Sequence, residues 1–373
     1  MLIKRFFKYL LIILVLSFLL YSCEKDNDDI PSLEEQIAQM FLVGFRGTEL
    51  SGDNHIVRDI QDYKIGGVIL FEKDGPSQSR PRNVVSGEQL NKLVVDLKSY
   101  SEEKLLVAID QEGGNVCRLK TSYGFPATVS AQYLGKLNNE DSTRFYASVI
   151  SLTLTDMGIN VNFAPVVDLN INPYSPAIGA LERSFSADPD SVVFHAEIFI
   201  DEYKKSKILS CCKHFPGHGS AMGDSHLGFT DVSETWNSVE LEPYKKLISE
   251  DKCNMIMTSH VFNRNLDSLY PATMSRNIIT NILRGDLNYK GVVVTDALDM
   301  GAISEIYGLE EAIEKTISAG CDILLFSNNV KTYDSEIVPK GIEIIKKLIY
   351  EGKISRERIK ESYDRIIRLK KNI

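Results

Sequence analysis

The sequence predicts one α/β domain in which parallel strands alternate with helices around a closed barrel, and three observations lead there. First, eight short apolar runs rich in Val, Ile and Leu recur along the chain, at 41–45, 66–71, 105–110, 160–168, 208–214, 255–260, 291–296 and 322–326. Near-continuous apolar strands of this kind are expected where both faces of a sheet are covered. Second, the intervals at 87–100, 142–157, 191–206, 241–250 and 310–319 carry helical periodicity. Third, no Gly/Ser-rich linker divides the chain. Strand–helix alternation repeated eight times is the pattern of a (β/α)8, or TIM-type, barrel. A doubly wound open sheet is the other arrangement that this alternation allows.

In chain order, residues 1–22 read as a targeting segment. Lys4, Arg5 and Lys8 stand at the start of residues 1–22, an apolar stretch runs over 6–20, and the segment contains no acid, the pattern of a secretory signal. It ends in Leu20-Tyr21-Ser22-Cys23, which resembles a bacterial lipobox, so Cys23 is expected to be lipidated and to anchor the chain to a membrane. Residues 23–32 then form an acidic tether, with Glu24, Asp26, Asp28 and Asp29 and little to bury. The run resembles the export signal of surface lipoproteins of the Bacteroidetes, which implies an outer-membrane lipoprotein displayed at the cell surface, with an inward-facing lipoprotein as the alternative. The barrel is expected to occupy residues 33–373, and two amphipathic helices over 343–369 are expected on its exterior.

Forty-two Lys and Arg stand against 51 Asp and Glu, a formal net charge of −9. Removing the three leader cations takes this to −12. That balance argues against nucleic acid as a partner, since phosphate contacts need clustered cations. Beyond Cys23, the five cysteines Cys117, Cys211, Cys212, Cys253 and Cys321 show no CxxC spacing. They read as buried thiols packed as small hydrophobes.

Asp110, Asp168, Lys213 with His214, His260 and Asp296 all fall where an apolar run ends. A (β/α)8 barrel carries its active site at that end of the strands. The densest chemistry follows the fifth run, in Lys213-His214-Phe215-Pro216-Gly217-His218-Gly219 and then Asp224-Ser225-His226. The residues by themselves leave three readings open. Asp224 and His226 are close enough for a carboxylate to orient an imidazole in proton transfer. His214, His218, Asp224 and His226 are also metal-ligand types, although Lys213 would repel a cation. The histidines could equally be surface loop residues.

The residues KHFPGHG followed by DSH closely resemble the signature of glycoside hydrolase family 3, in its bacterial β-N-acetylglucosaminidase type. Four further segments agree in order: Asp110-Gln111-Glu112-Gly113-Gly114 with Arg118, then 162–168, Arg183-Ser184-Phe185, and 295–300 with Asp296. The resemblance spans about 33–330. It implies a retaining exo-glycosidase that releases terminal β-linked N-acetylglucosamine. Asp296 would be the nucleophile, His226 the acid/base and Asp224 its orienting partner. Asp110, Arg118, Arg183, Lys213 and His214 would bind the sugar.

The family commonly has Arg where this chain has Asn115, and the Ser220-Ala221-Met222-Gly223 spacer also departs from it. Both departures bear on the leaving group. Glu112 is a lesser catalytic candidate, because Gly113-Gly114 suggests a tight turn. Asp299 reads as a carboxylate in the first turn of a helix. No cofactor motif is present and the implied mechanism requires none. The alternatives are a phosphorylase or a β-glucosidase of the same family, a metal-dependent hydrolase, and a glycan-binding lipoprotein without catalysis.

Overall fold

The computed structural model describes residues 31–77, 79–225 and 228–373. Glu34–Ile373 forms one compact body, and the leader, Cys23 and most of the tether lie outside the described residues.

Among the described residues there are ten strands: β1 (Phe41–Gly44), β2 (Gly67–Leu70), β3 (Leu106–Ile109), β4 (Val161–Asn162), β5 (Leu209–Phe215), β6 (Thr230–Asp231), β7 (Met255–Thr258), β8 (Val261–Phe262), β9 (Val292–Val294) and β10 (Leu324–Phe326). Eight of them form one sheet in the order β10-β1-β2-β3-β4-β5-β7-β9, with every pairing parallel. The remaining gap is closed by a parallel bridge between Val294 and Ile323. The sheet is therefore a barrel, and each of the eight apolar runs supplies one of its strands. The doubly wound alternative is excluded, since an open sheet has two free edges. β6 and β8 make a separate two-stranded ribbon in the loops above the barrel.

Helices cover the outside. Ser86 begins Gly87–Ser99 by accepting from the Gln89 amide, and Asp188 begins Pro189–Lys205 by accepting from Ser191. Side-chain caps of this kind satisfy amides that have no partner within the helix. The expected C-terminal pair is Ile337–Tyr350 and Arg356–Lys370. Asp322, buried just before β10, ties this end together by accepting from Arg284, Arg358 and Arg365 at 2.6, 3.1 and 2.9 Å. Three cations around one buried carboxylate hold the last helix to the face opposite the site, where barrels keep residues for stability. The strand run at 160–168 is shorter than its apolar length suggests. Pairing through Asn162 is followed by Ala164-Pro165, and Pro lacks the amide that would extend the ladder.

All five cysteines of the body are buried and free, as expected.

Candidate active site

Asp110, Asp168, His214, His260 and Asp296 lie on the same end of the barrel because each follows or ends a parallel strand. The centre of this end is an ionic cluster. Lys213 Nζ donates to Asp110 Oδ1 and to Glu112 Oε1, both at 2.7 Å. Arg183 reaches the same Glu112 with two nitrogens, Nε to Oε2 at 2.8 Å and Nη2 to Oε1 at 2.7 Å. Arg118 approaches Asp110 at 3.6 Å and Glu72, which follows β2, at 3.5 Å.

Neighbouring residues of a regular strand point to opposite faces, yet Lys213 and His214 both join this cluster. The β5–β7 ladder shifts register between Cys212 and Phe215, which breaks the alternation at these two residues. Gly113 and Gly114 make the expected tight turn. Both have positive φ, and a Cβ at Gly114 would lie 2.6 Å from Ser130.

Charge balance explains the protonation of the cluster. Burial alone would raise the Asp110 carboxyl, but Lys213 and Arg118 outweigh it and hold Asp110 well below the usual carboxylate range. Glu112 is likewise taken down to about 2, with burial opposed by Arg183 and Lys213. Lys213 is raised, since Asp110 and Glu112 overcome its burial. Glu112 and Lys213 are almost fully enclosed, while the Asp110 and Arg118 side chains keep 17% and 24% exposure. These two are the most open members of the cluster.

His214 links the cluster to Asp168. Its Nδ1 lies 2.7 Å from Asp168 Oδ2, and its Nε2 lies 3.1 Å from Arg183 Nη2. A guanidinium can only donate, so Nε2 accepts, Nδ1 carries the proton and the ring is neutral. Burial, followed by Arg183 and Lys213, lowers the His214 pKa well below its ordinary value, in agreement with this tautomer. With both ring nitrogens engaged, His214 has no lone pair for a metal. No group of metal-ligand residues occurs among the described residues.

Asp296 follows β9. Its Oδ1 accepts the Ala297 amide at 2.8 Å, and its charge acts on both the His214 and His218 rings. His260, at the end of β7, donates from Nε2 to the Ala297 carbonyl at 2.9 Å and so holds the residue after Asp296. Asp299 does not serve a helix dipole: the next helix starts at Gly301. Its carboxylate accepts the amides of Ser327 and Asn328 and pins the β9 loop to the β10 loop.

His226 lies outside the described residues, so its contacts are not part of this geometry. The segment leading to it is described. Ser225 is buried and its Oγ lies 3.1 Å from His218 Nε2. A Cβ at Gly301 would meet the Gly228 nitrogen at 3.5 Å, so the Asp224-containing loop borders the segment that follows Asp296.

The structure thus brings together Asp110, Arg118, Arg183, Lys213 and His214, with Asp296 in electrostatic reach. Sequence reasoning did not name Glu72, gave Asp168 and His260 only as strand ends, and weighed Glu112 only as a lesser catalytic candidate. Strand-end position signalled Asp168 and His260. Nothing in the sequence marked Glu112 as the shared partner of two distant cations. Asn115 donates to the Leu181 carbonyl at 3.2 Å, two residues before Arg183, so it acts on the backbone of that turn.

Comparison with known proteins agrees with this architecture. The family model described as "Glycosyl hydrolase family 3 N terminal domain" matches residues 32–369. A "Beta-hexosaminidase A" of Pseudoalteromonas piscicida is 35% identical over 335 residues, covering 83% of this chain and 54% of that protein. The chain thus spans about half the length of that relative. A "Beta-hexosaminidase" of Tolumonas auensis is 33% identical, covering 77% of this chain and 82% of its own. Among solved structures, a family 3 β-N-acetylglucosaminidase from a Paenibacillus species superposes with TM-score 0.83 at 32% identity, covering 92% of this chain and 62% of that one. A β-N-acetylhexosaminidase from Beutenbergia cavernae gives 0.80 at 26% identity over 91% and 99% of the two chains. With its barrel, its strand-end carboxylates and a family match along nearly the whole described body, the chain belongs to glycosyl hydrolase family 3.

Proposed function

We propose that this protein is a retaining exo-β-N-acetylglucosaminidase that works through a glycosyl-Asp296 intermediate, with His226 as acid/base and Asp224 as its orienting partner. The observation that carries the reading is the position of Asp296 beside a neutralised cluster of sugar-binding groups. The relatives named as β-hexosaminidases support the substrate class.

Asp110 is ionised and partly open, so its carboxylate accepts from ring hydroxyls. Arg118 donates beside it. Arg183 and Lys213 are held by Glu112, which fixes donors before substrate arrives and lowers the cost of ordering them. Asp296 attacks the anomeric carbon while the His226 imidazolium gives its proton to the leaving oxygen. The neutral imidazole then takes a proton from water, which attacks the intermediate and frees Asp296. Two inversions at one carbon return the original anomer.

Outside the barrel, the reading includes a lipid anchor at Cys23 and an outer-membrane, surface-facing location. Cys23→Ala is expected to move the protein from the membrane to the soluble fraction.

The test uses protein lacking residues 1–23, given p-nitrophenyl β-N-acetylglucosaminide and β-glucoside, with and without phosphate. Release from the N-acetyl substrate with retention of the anomer, abolished in a folded Asp296→Ala variant, is the expected result. Strong stimulation by phosphate would reassign the enzyme as a phosphorylase. No release from either sugar by folded protein would leave a glycan-binding protein.

A further inference from the structure

We propose that Glu240 is a positioning residue for the acid/base segment, holding the 217–220 turn that leads into Asp224-Ser225-His226. It rests on the acid/base reading given above.

Glu240 lies in the short turn Ser238–Leu241 and is 1% exposed. Its Oε2 accepts the Gly219 amide at 3.0 Å, and its Oε1 accepts the Ser220 hydroxyl at 2.6 Å. Gly217, at φ +125°, leaves the space that the Glu240 side chain fills, since a Cβ there would lie 2.6 Å from the Glu240 Cβ. Asp168 grips the same turn from another side: its Oδ1 accepts the His218 amide at 2.9 Å while its Oδ2 faces the His214 ring. Two consecutive amides, His218 and Gly219, therefore point to two different buried carboxylates. One of those carboxylates belongs to the sugar cluster.

The far end of the loop is held to the same turn. The His218 ring reaches Ser225 Oγ at 3.1 Å, with both residues buried. The segment bearing Glu240 is itself anchored where Trp236 Nε1 donates to the Pro216 carbonyl at 3.1 Å. Removing the Glu240 carboxylate frees the turn at Gly219 and Ser220. His218 and Ser225 then lose a fixed base, and with them the register of the acid/base pair against the leaving oxygen. Misplacement of a catalytic group by an ångström or less is enough to slow a proton transfer strongly.

The hydrogen-bond partners of this carboxylate in the turn are the Gly219 and Ser220 amides and the Ser220 hydroxyl, all neutral. A buried carboxylate with no cation in its bonds is a costly way to stabilise a fold. Burial pushes the group up to about 7, in keeping with that cost. A side chain that merely filled the space would be cheaper, so the contacts it makes are the reason to keep it. Glutamine can keep the hold on Gly219 and Ser220: its oxygen accepts from the Gly219 amide, and its amide donates to Ser220 Oγ, whose hydroxyl turns away.

The experiment measures kcat/KM on two β-N-acetylglucosaminides, one with p-nitrophenol and one with a poorly acidic phenol as leaving group. The first needs little proton donation and the second much. Glu240→Ala, Glu240→Gln and Ser220→Ala are compared, with His226→Ala as the benchmark and melting curves to establish folding. The expected result is that Glu240→Ala loses at least thirtyfold on the poor leaving group and under threefold on the good one. Glu240→Gln stays within threefold of the parent on both, and Ser220→Ala repeats the Ala pattern more weakly. An equal loss on both substrates, or a Gln variant as poor as Ala, overturns the proposal. Should Glu240→Ala fail to fold, Ser220→Ala decides by the same comparison. If His226→Ala shows the leaving-group dependence and neither the Glu240 nor the Ser220 variants do, the positioning role alone fails. If His226→Ala does not show it, the acid/base reading falls and this proposal falls with it.

Discussion

Replacing Glu112 with glutamine keeps its shape and removes one charge from a buried cluster. Glu112 Oε1 serves Lys213 and Arg183 at 2.7 Å, and Oε2 serves Arg183 Nε at 2.8 Å. An amide can place its oxygen at the first position, but its NH2 then faces a guanidinium that can only donate. The displacement of Glu112 from 4.5 to about 2 corresponds to about 3 kcal/mol of preference for the charged form. Removing one member of a buried pair costs a similar ~3–5 kcal/mol. The pH dependence has a definite sign. A depressed carboxylate contributes stability that is complete above its unfolded value, near 4.5, and is lost as pH falls toward 2. Urea unfolding of Glu112→Gln should therefore fall about 3 kcal/mol below the parent at pH 7, narrowing to about 1.5 kcal/mol at pH 3. The KM for the N-acetyl substrate should rise as well, because Arg183 and Lys213 lose their common anchor. A gap below about 1 kcal/mol at pH 7, or one that does not narrow in acid, would refute the idea that this carboxylate organises the sugar site.

The His214 tautomer can be read directly. Its pKa is lowered by burial, Arg183 and Lys213, so nitrogen-15 spectra should show a neutral Nδ1–H ring unchanged from pH 8 to 5.5, and a doubly protonated ring at pH 6 would contradict the network. Asp168→Asn places an amide against the His218 or His214 N–H groups and is expected to lower kcat/KM at least a hundredfold, about 2.7 kcal/mol. Lys370 is buried, bonds Gln39 Oε1 at 2.7 Å and is lowered by burial to about 7. A depressed lysine is most costly at low pH, so the stability of Lys370→Met relative to the parent should be greater at pH 7 than at pH 9.5 by about 3 kcal/mol; equal differences at the two pH values would show that the amine is not desolvated as described. Gly219→Ala would put a Cβ 1.7 Å from the Leu169 carbonyl, so its activity should fall even where the melting curve shows a folded protein.

Much of this molecule could be read before any coordinates. Eight apolar runs and their helical intervals indicated the eight barrel strands, their parallel pairing and the strand ends that carry the chemistry, since a strand covered on both faces must be apolar and its C-terminal end must face the loops, while the β6–β8 ribbon left no such signal. The motif residues Asp110, Arg118, Arg183, Lys213, His214 and Asp296 were legible as candidates from their strand-end or loop positions and from the family resemblance. Asp299 misled, because a carboxylate near a predicted helix start looks the same in sequence whether it caps that helix or bonds a loop 28 residues away.

Only the tertiary structure decided which charges meet. Glu112 and Arg183 are 71 residues apart, and Asp110 and Lys213 are 103 apart. No local pattern encodes such pairs, because they depend on how strands lie side by side around the barrel. The same holds for the neutral state of His214, which follows from a guanidinium on one nitrogen and a carboxylate on the other. It holds too for Glu240, whose sequence neighbours give no hint of the Gly219 and Ser220 groups it holds. Periodicity is a property of the chain and survives in the sequence. Ionic partnership and protonation are properties of distance and burial, and come into being only when the barrel closes.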